Sequence, residues 1–211
     1  MVGLLFRYCL RETVKTVYYG ELMANTLIRS ETLVKARPFN IRRDQVELPD
    51  GKSTTLILVD HPGAVTLVPF DNQGCLWFVR QYRHATEQEL LELPAGTLEP
   101  GEDPEACARR EVREEIGMAA GSIQKIGEFF LAPGYSSEYM RVYLALNLTP
   151  DPLQGDDDEF ITVERIPLEQ AYSLAESGEI RDGKTLAALL LAKPYLFDDK
   201  LSVFRGDPHP S

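Results

Sequence analysis

The sequence predicts an α/β fold: a mixed sheet held between helices and preceded by a small N-terminal antiparallel β region. Three observations carry this reading. Short alternating apolar segments fill the chain from Thr26 to Arg83, a capped amphipathic helix follows over Pro104–Ile116, and two more helices close the chain after a return to strand patterning.

The elements follow in order. Residues 1–22 meet Arg7, Arg11 and Glu12 before an apolar stretch of about 7 to 15 residues can form, so they read as an extension and not as a secretion signal, with Met23 an alternative start. Thr26 to Leu48 alternates like short strands, and Pro49-Asp50-Gly51 offers a tight turn into the strand beginning at Ser53. Residues 64–70 and 75–83 read as a hairpin across Asp71-Asn72-Gln73-Gly74. The run from Leu90 to Gly96 reads as the approach to a glycine-containing loop. Asp103 then suits the N-cap, Pro104 the first helical turn and Gly117 the C-cap. Strands are expected over 123–132, 139–148 and 160–166, and helices over Leu168–Glu176 and about 184–196, the last apolar at Leu186, Leu189, Leu190 and Ala192. The predicted organisation is an extension (1–22), an N-terminal β region (23–57, boundary around 52–58), a main domain (58–198) and a C-terminal tail (199–211).

The 211 residues suit one domain with a modest appendage. A net charge of −11 disfavours a nucleic-acid partner, because phosphate backbones need a surplus of positive charge. Cys9, Cys75 and Cys107 are odd in number and widely spaced, which fits a reducing cytoplasm better than a disulfide framework. No apolar run approaches the roughly 20 residues that span a bilayer, so no membrane association is expected. His61, His84 and His209 lack ligand or triad spacing; Trp77 reads as core, and Cys107 as a residue without a partner.

The chemistry concentrates on the central helix. At about 100° per residue, Glu111, Glu114 and Glu115 share one face beside the apolar stripe Ala108, Val112 and Ile116, where their repulsion is poorly screened. A divalent cation with oxygen ligands would offset it. The plainer alternative is a solvated face paired with Arg109, Arg110 and Arg113.

The wider spacing favours the cation. Gly96, five residues, Glu102, seven residues, Arg110-Glu111-Val112, one residue, Glu114-Glu115, one residue and Gly117-Met118 make a segment that resembles the Nudix hydrolase signature at every defined position. The resemblance implies a Nudix α/β/α sandwich and Mg²⁺-dependent hydrolysis of a nucleoside diphosphate linked to another group, with Mn²⁺ as the other candidate metal. It implies that Glu111 and Glu115 are the principal metal ligands, that Glu114 assists, that the Ala95 carbonyl completes the set and that Arg110 holds Glu102. Pro133, sixteen residues after Gly117, and the run Leu131 to Glu138 look like the ADP-ribose pyrophosphatase subfamily, as do Gln81-Tyr82-Arg83 and Leu90 to Gly96.

That subfamily resemblance implies a homodimer joined through the N-terminal β region and hydrolysis of ADP-ribose to AMP and ribose 5-phosphate. Glu159, with Asp157 and Asp158 as alternates, is implied to complete the catalytic carboxylates beside Glu114 and Glu115. Arg83 is expected on a phosphate or the terminal ribose, unless it merely pairs with Glu87 or Glu89, and Glu92 on substrate or a third ion. Pro133, Tyr135 and Glu138 would line the substrate loop, with Phe39 or Tyr135 as the aromatic plane for the base. A GDP-mannose-type diphosphatase and a non-catalytic nucleotide sensor are the alternative readings.

Overall fold

A computed structural model describes residues 24–155 and 160–197. Residues 1–22, the acidic stretch Asp157, Asp158 and Glu159, His209 and the tail 199–211 lie outside the described residues. Contacts divide the described chain into two compact units, one of residues 24–30 with 44–56 and the other of 31–43 with 57–197.

Strands β1 (Thr26–Val34), β2 (Asn40–Glu47) and β3 (Ser53–Asp60) form a sheet in that order. The expected turn between β2 and β3 is present: Gly51 sits at φ 81° and its N–H donates to the Leu48 carbonyl at 2.9 Å. Strand β3 occupies the stretch where the sequence places its boundary.

The larger unit holds β4 (Ala64–Pro69), β5 (Cys75–Arg83), β6 (Gln88–Glu92), β7 (Ala95–Thr97), α1 (Pro104–Ile116), β8 (Met118–Phe130), β9 (Tyr139–Pro150), β10 (Ile161–Pro167), α2 (Leu168–Glu176) and α3 (Gly183–Leu196). One sheet has the order β7-β4-β9-β8 and is mixed, because β4 runs parallel to β9 and antiparallel to β7; the other has the order β10-β5-β6 and is antiparallel. Every residue of β4 is buried, as expected of a strand covered on both faces. On β9, Val142, Leu144 and Leu146 join the cluster that contains Ala171, Tyr172, Ala188 and Leu189 of α2 and α3, while Tyr143 and Ala145 join Cys107, Ala108, Val112 and Ile116 of α1. Helices therefore cover both faces, giving the predicted α/β/α layering.

Several details differ from expectation. Strands β4 and β5 lie in different sheets, with an isolated bridge between Phe70 and Leu76, so the expected hairpin across residues 71–74 does not form as a paired ribbon. Strand β8 begins at Met118, ahead of the expected residue 123. The approach to the box glycine is not loop alone, since β6 and the short β7 flank Leu93 and Pro94. On α3 the buried face is Thr185, Ala188, Leu189, Ala192 and Leu196, at helical spacing, so Leu186 and Leu190 point outward, the latter 70% exposed. Trp77 is half-buried: its indole N–H donates to Asp71 Oδ2 at 2.8 Å and the Arg165 guanidinium lies 5.1 Å from its ring.

Candidate active site

Helix α1 is positioned by its ends. Asp103 Oδ2 accepts from the N–H groups of Glu105 (3.0 Å) and Ala106 (3.1 Å), Pro104 fills the first turn, and Gly117 at φ 70° ends the helix in the left-handed region. Ala108, Val112 and Ile116 are buried against the sheet, which fixes the rotation of the helix and turns Glu111 and Glu115 toward β7.

The backbone they meet is held just as firmly. The Pro94 carbonyl accepts from Leu67 N–H (2.8 Å) and the Thr66 hydroxyl (3.2 Å), and Gly96 pairs with Val65. Ala95 N–H donates to Glu115 Oε2 at 3.0 Å. A Cβ on Gly96 would lie 1.8 Å from the Glu111 carboxyl carbon and Oε1, so only a residue without a side chain lets that carboxylate rest on the strand. Glu111 and Glu115 are 7% and 8% exposed; they are not a solvated face.

Arg110 is the main local cation. Its Nε and Nη2 donate to the two oxygens of Glu102 at 3.0 and 3.1 Å, as the resemblance implies, and its Nη1 donates to Glu111 (2.7 Å) and Glu114 (2.8 Å). The Glu102 bond first, then the Glu111 charge and the Glu114 bond outweigh burial and raise the Arg110 pKa above its ordinary value. Arg110 in turn holds Glu102 below the usual carboxylate range. Arg109 and Arg113 face elsewhere, to Glu105 and Asp151. Cys107 is buried with Sγ 3.4 Å from Arg110 Nη2 and 4.0 Å from Glu111 Oε1, so the sequence reading that left it without a partner is corrected. Burial, then the Glu111 charge, pushes its thiol far up, and it stays protonated.

A second group lies beside this one. Arg83 pairs with neither Glu87 nor Glu89: its Nε and Nη2 donate to Glu92 Oε1 (2.7 Å) and Oε2 (2.6 Å). Lys184, at the start of α3, also donates to Glu92 Oε2 and to Asp182 Oδ2 (2.9 Å). Burial alone would raise the Glu92 carboxyl, which is 1% exposed, but the Arg83 bonds and the Lys184 charge hold it below the usual range. The Glu92 hydrogen bonds outweigh burial and raise the Arg83 pKa above its ordinary value, with the charges of Glu92, Glu115 and Asp182 adding to the rise.

A third group surrounds the loop after β8. Pro133 lies in this loop, Tyr135 is 60% exposed with its carbonyl accepting from Val59 N–H (2.8 Å), and Phe39 stands 6.3 Å from the His61 ring. Burial lowers the His61 pKa while the nearby Glu138 opposes that shift. Sequence reasoning passed over His61, Lys184, Asp182 and Thr185, since none has motif spacing. A cavity of about 590 Å³ opens elsewhere, lined by Arg80, Glu164, Arg165, Gln170 and Arg181 among others, and it includes no residue of α1.

Among the described residues no three His, Cys, Asp or Glu side chains already stand in metal-holding geometry. The donor set nevertheless fits a hard divalent ion: Glu111 and Glu115 are buried carboxylates packed on the Ala95-Gly96 backbone, Glu114 is next to them, and Arg110 alone is shared among Glu102, Glu111 and Glu114.

The NUDIX domain profile matches residues 60–189, and the chain belongs to that family. It is 38% identical to an ADP-ribose pyrophosphatase of Bacillus subtilis, over 77% of this chain and 89% of that one. It is 40% identical to an ADP-ribose pyrophosphatase of Mycobacterium tuberculosis, over 77% and 80% respectively. A crystal structure of an ADP compounds hydrolase, 26% identical, superposes with a TM-score of 0.73 and covers 90% of this chain and 100% of its own. Nudix hydrolases generally depend on a divalent metal ion.

Proposed function

We propose that the protein hydrolyses the diphosphate bond of ADP-ribose to AMP and ribose 5-phosphate, using Mg²⁺ or Mn²⁺, and that it works as a cytoplasmic homodimer. The burial of Glu111 and Glu115 against the Ala95-Gly96 backbone carries this reading, because two carboxylates are held there at a cost that a cation offsets. The two relatives named for ADP-ribose support the choice of substrate.

In this reading Glu111, Glu114, Glu115 and the Ala95 carbonyl hold the metal. When bound, the ion supplies neutralisation of the diphosphate and acidifies a water. Arg83 binds a phosphate with the N–H groups that Glu92 leaves open. One carboxylate of Glu159, Glu114 and Glu115, with Glu159 first, takes the proton as the water oxygen bonds to phosphorus and the bridging P–O bond breaks. Phe39 or Tyr135 stacks on the base, while Pro133 and Glu138 shape the loop around the sugar. Glu92, saturated by two cations, serves the site by fixing Arg83. The exposed apolar side chains Leu27, Ile28, Leu33 and Val34 of β1 are the surface offered to a second copy.

The test is a panel of ADP-ribose, GDP-mannose, ADP-glucose, NADH and diadenosine polyphosphates with Mg²⁺, with products resolved. ADP-ribose should show the highest kcat/KM and yield AMP. Preference for GDP-mannose would move the assignment to that substrate, and binding without turnover would make the protein a sensor.

A further inference from the structure

We propose that Lys184 is a positioning residue for the diphosphate, acting through Glu92 to present Arg83 to the substrate. The inference rests on the reading of Arg83 as a phosphate ligand.

Glu92 is the most enclosed charged side chain among the described residues. Its Oε1 accepts from Arg83 Nε, and its Oε2 accepts from both Arg83 Nη2 and Lys184 Nζ. A guanidinium has five N–H donors in a fixed plane. The carboxylate occupies one edge, and the other edge, with Nη1, is turned away on a side chain that is 41% exposed. Arg83 is thus locked on one side and open on the other, the arrangement a planar cation needs to meet a phosphate without losing rotamer freedom on binding.

Lys184 keeps that open edge available. Two cations, Arg83 and Lys184, face two acids, Glu92 and Asp182, and the four charges balance. Without the lysine, Glu92 would keep Arg83 as its one cation and Asp182 would lose its ion pair. The guanidinium would then be drawn further onto the buried Glu92 carboxylate and away from the open side.

The lysine is also rigidly mounted. Asp182 Oδ2 caps α3 by accepting from Thr185 N–H (3.0 Å) and the Thr185 hydroxyl (2.6 Å), and Thr185 Oγ1 accepts from Leu93 N–H at 2.8 Å. The first turn of α3 is therefore tied to the residue that follows Glu92 and lies between β6 and β7. A helix far from the box in sequence is thus joined to the strand end before it twice, by Thr185 on Leu93 and by Lys184 on Glu92.

A double-mutant cycle on the full chain tests the proposal, with kcat and KM measured separately for ADP-ribose at saturating Mg²⁺. Lys184→Met should lower kcat/KM by about 10- to 100-fold, mostly through KM, and Lys184→Arg should recover most of the loss. In an Arg83→Met background the same Lys184→Met change should cost less than about twofold, since the route through Arg83 is already gone. An equal loss in both backgrounds would overturn the proposal and leave Lys184 with a purely structural role. Wild-type kcat/KM in Arg83→Met would remove the phosphate role of Arg83 and the inference with it. If Lys184→Met does not fold, Lys184→Gln, which keeps a donor but no charge, takes its place in the cycle. If ADP-ribose proves not to be the substrate, the cycle is read on whichever diphosphate of the panel is cleaved, so failure of the substrate assignment remains separate from failure of the relay.

Discussion

Gly96 is where the acidic group meets the backbone most closely, and its requirement is steric, not conformational. Gly96→Ala would put a methyl group where the Glu111 carboxyl rests, so that carboxylate must swing off the strand and leave its place beside Glu115. The expected outcome is a stability loss of about 1–3 kcal/mol, read by denaturant unfolding, together with a collapse of turnover. Retention of both would show that the helix gives way there.

Acid sensitivity belongs to the same scale. Glu92 and Glu102 have folded pKa values below their ordinary 4.5, so their stabilisation is fully present above that pH and is lost as pH falls through the lower folded values. The melting temperature should hold from neutral pH to about 5 and fall below it, with a shallower fall in Glu92→Gln. Identical acid limbs in the two proteins would contradict that assignment. At this scale the sequence disclosed residues that share a motif: Glu102, Arg110, Glu111 and Gly96 could be placed by spacing. The pairing of Arg83 with Glu92 instead of Glu87 or Glu89, and the arrival of Lys184, depend on tertiary contacts separated by 9 and 92 positions, which no local pattern encodes.

Among the elements, α1 is the most fully specified by its own residues. Asp103, Pro104 and Gly117 mark both ends, and the stripe of Ala108, Val112 and Ile116 sets its rotation, so its bounds could be read without tertiary information. Asp103→Ala removes the acceptor for two N–H groups and should cost about 1 kcal/mol in unfolding, with activity falling less than in Gly96→Ala, because packing still orients the helix. A loss well above 2 kcal/mol would show that the cap also holds the Glu99–Glu102 turn. Strands were harder to delimit. The segment before the box carries Pro94, which cannot donate to a ladder, and this masked β6 and β7 on either side of it. On α3, a nearly continuous leucine-alanine run hides which face is inward; the buried positions are Lys184, Thr185, Ala188, Leu189, Ala192 and Leu196.

Across the whole molecule, the layering of helices on both faces of mixed strands was legible because strand patterning flanks one well-capped helix and precedes two more. The crossover that makes β4 parallel to β9 was not, since strand order depends on packing between segments about 75 residues apart, as in Ala64 beside Met140. The acidic surplus of −11 works against binding of polyanions at large, so in the proposed function the diphosphate must be met locally, by Arg83 and by the metal that the acidic group would hold. The proposed dimer places the exposed face of β1 against a second copy, so light scattering on the full chain should give twice the 23.7 kDa monomer mass. A monomer that turns over at full rate would remove the homodimer from the proposed function.

The most direct measurement is the rate of ADP-ribose hydrolysis against Mg²⁺ concentration for the wild type and Glu115→Gln, with folding monitored in both. The wild type should release AMP in a metal-dependent reaction, and Glu115→Gln should lose several orders of magnitude in rate without a change of fold. Equal, metal-dependent rates in the two proteins would contradict this reading.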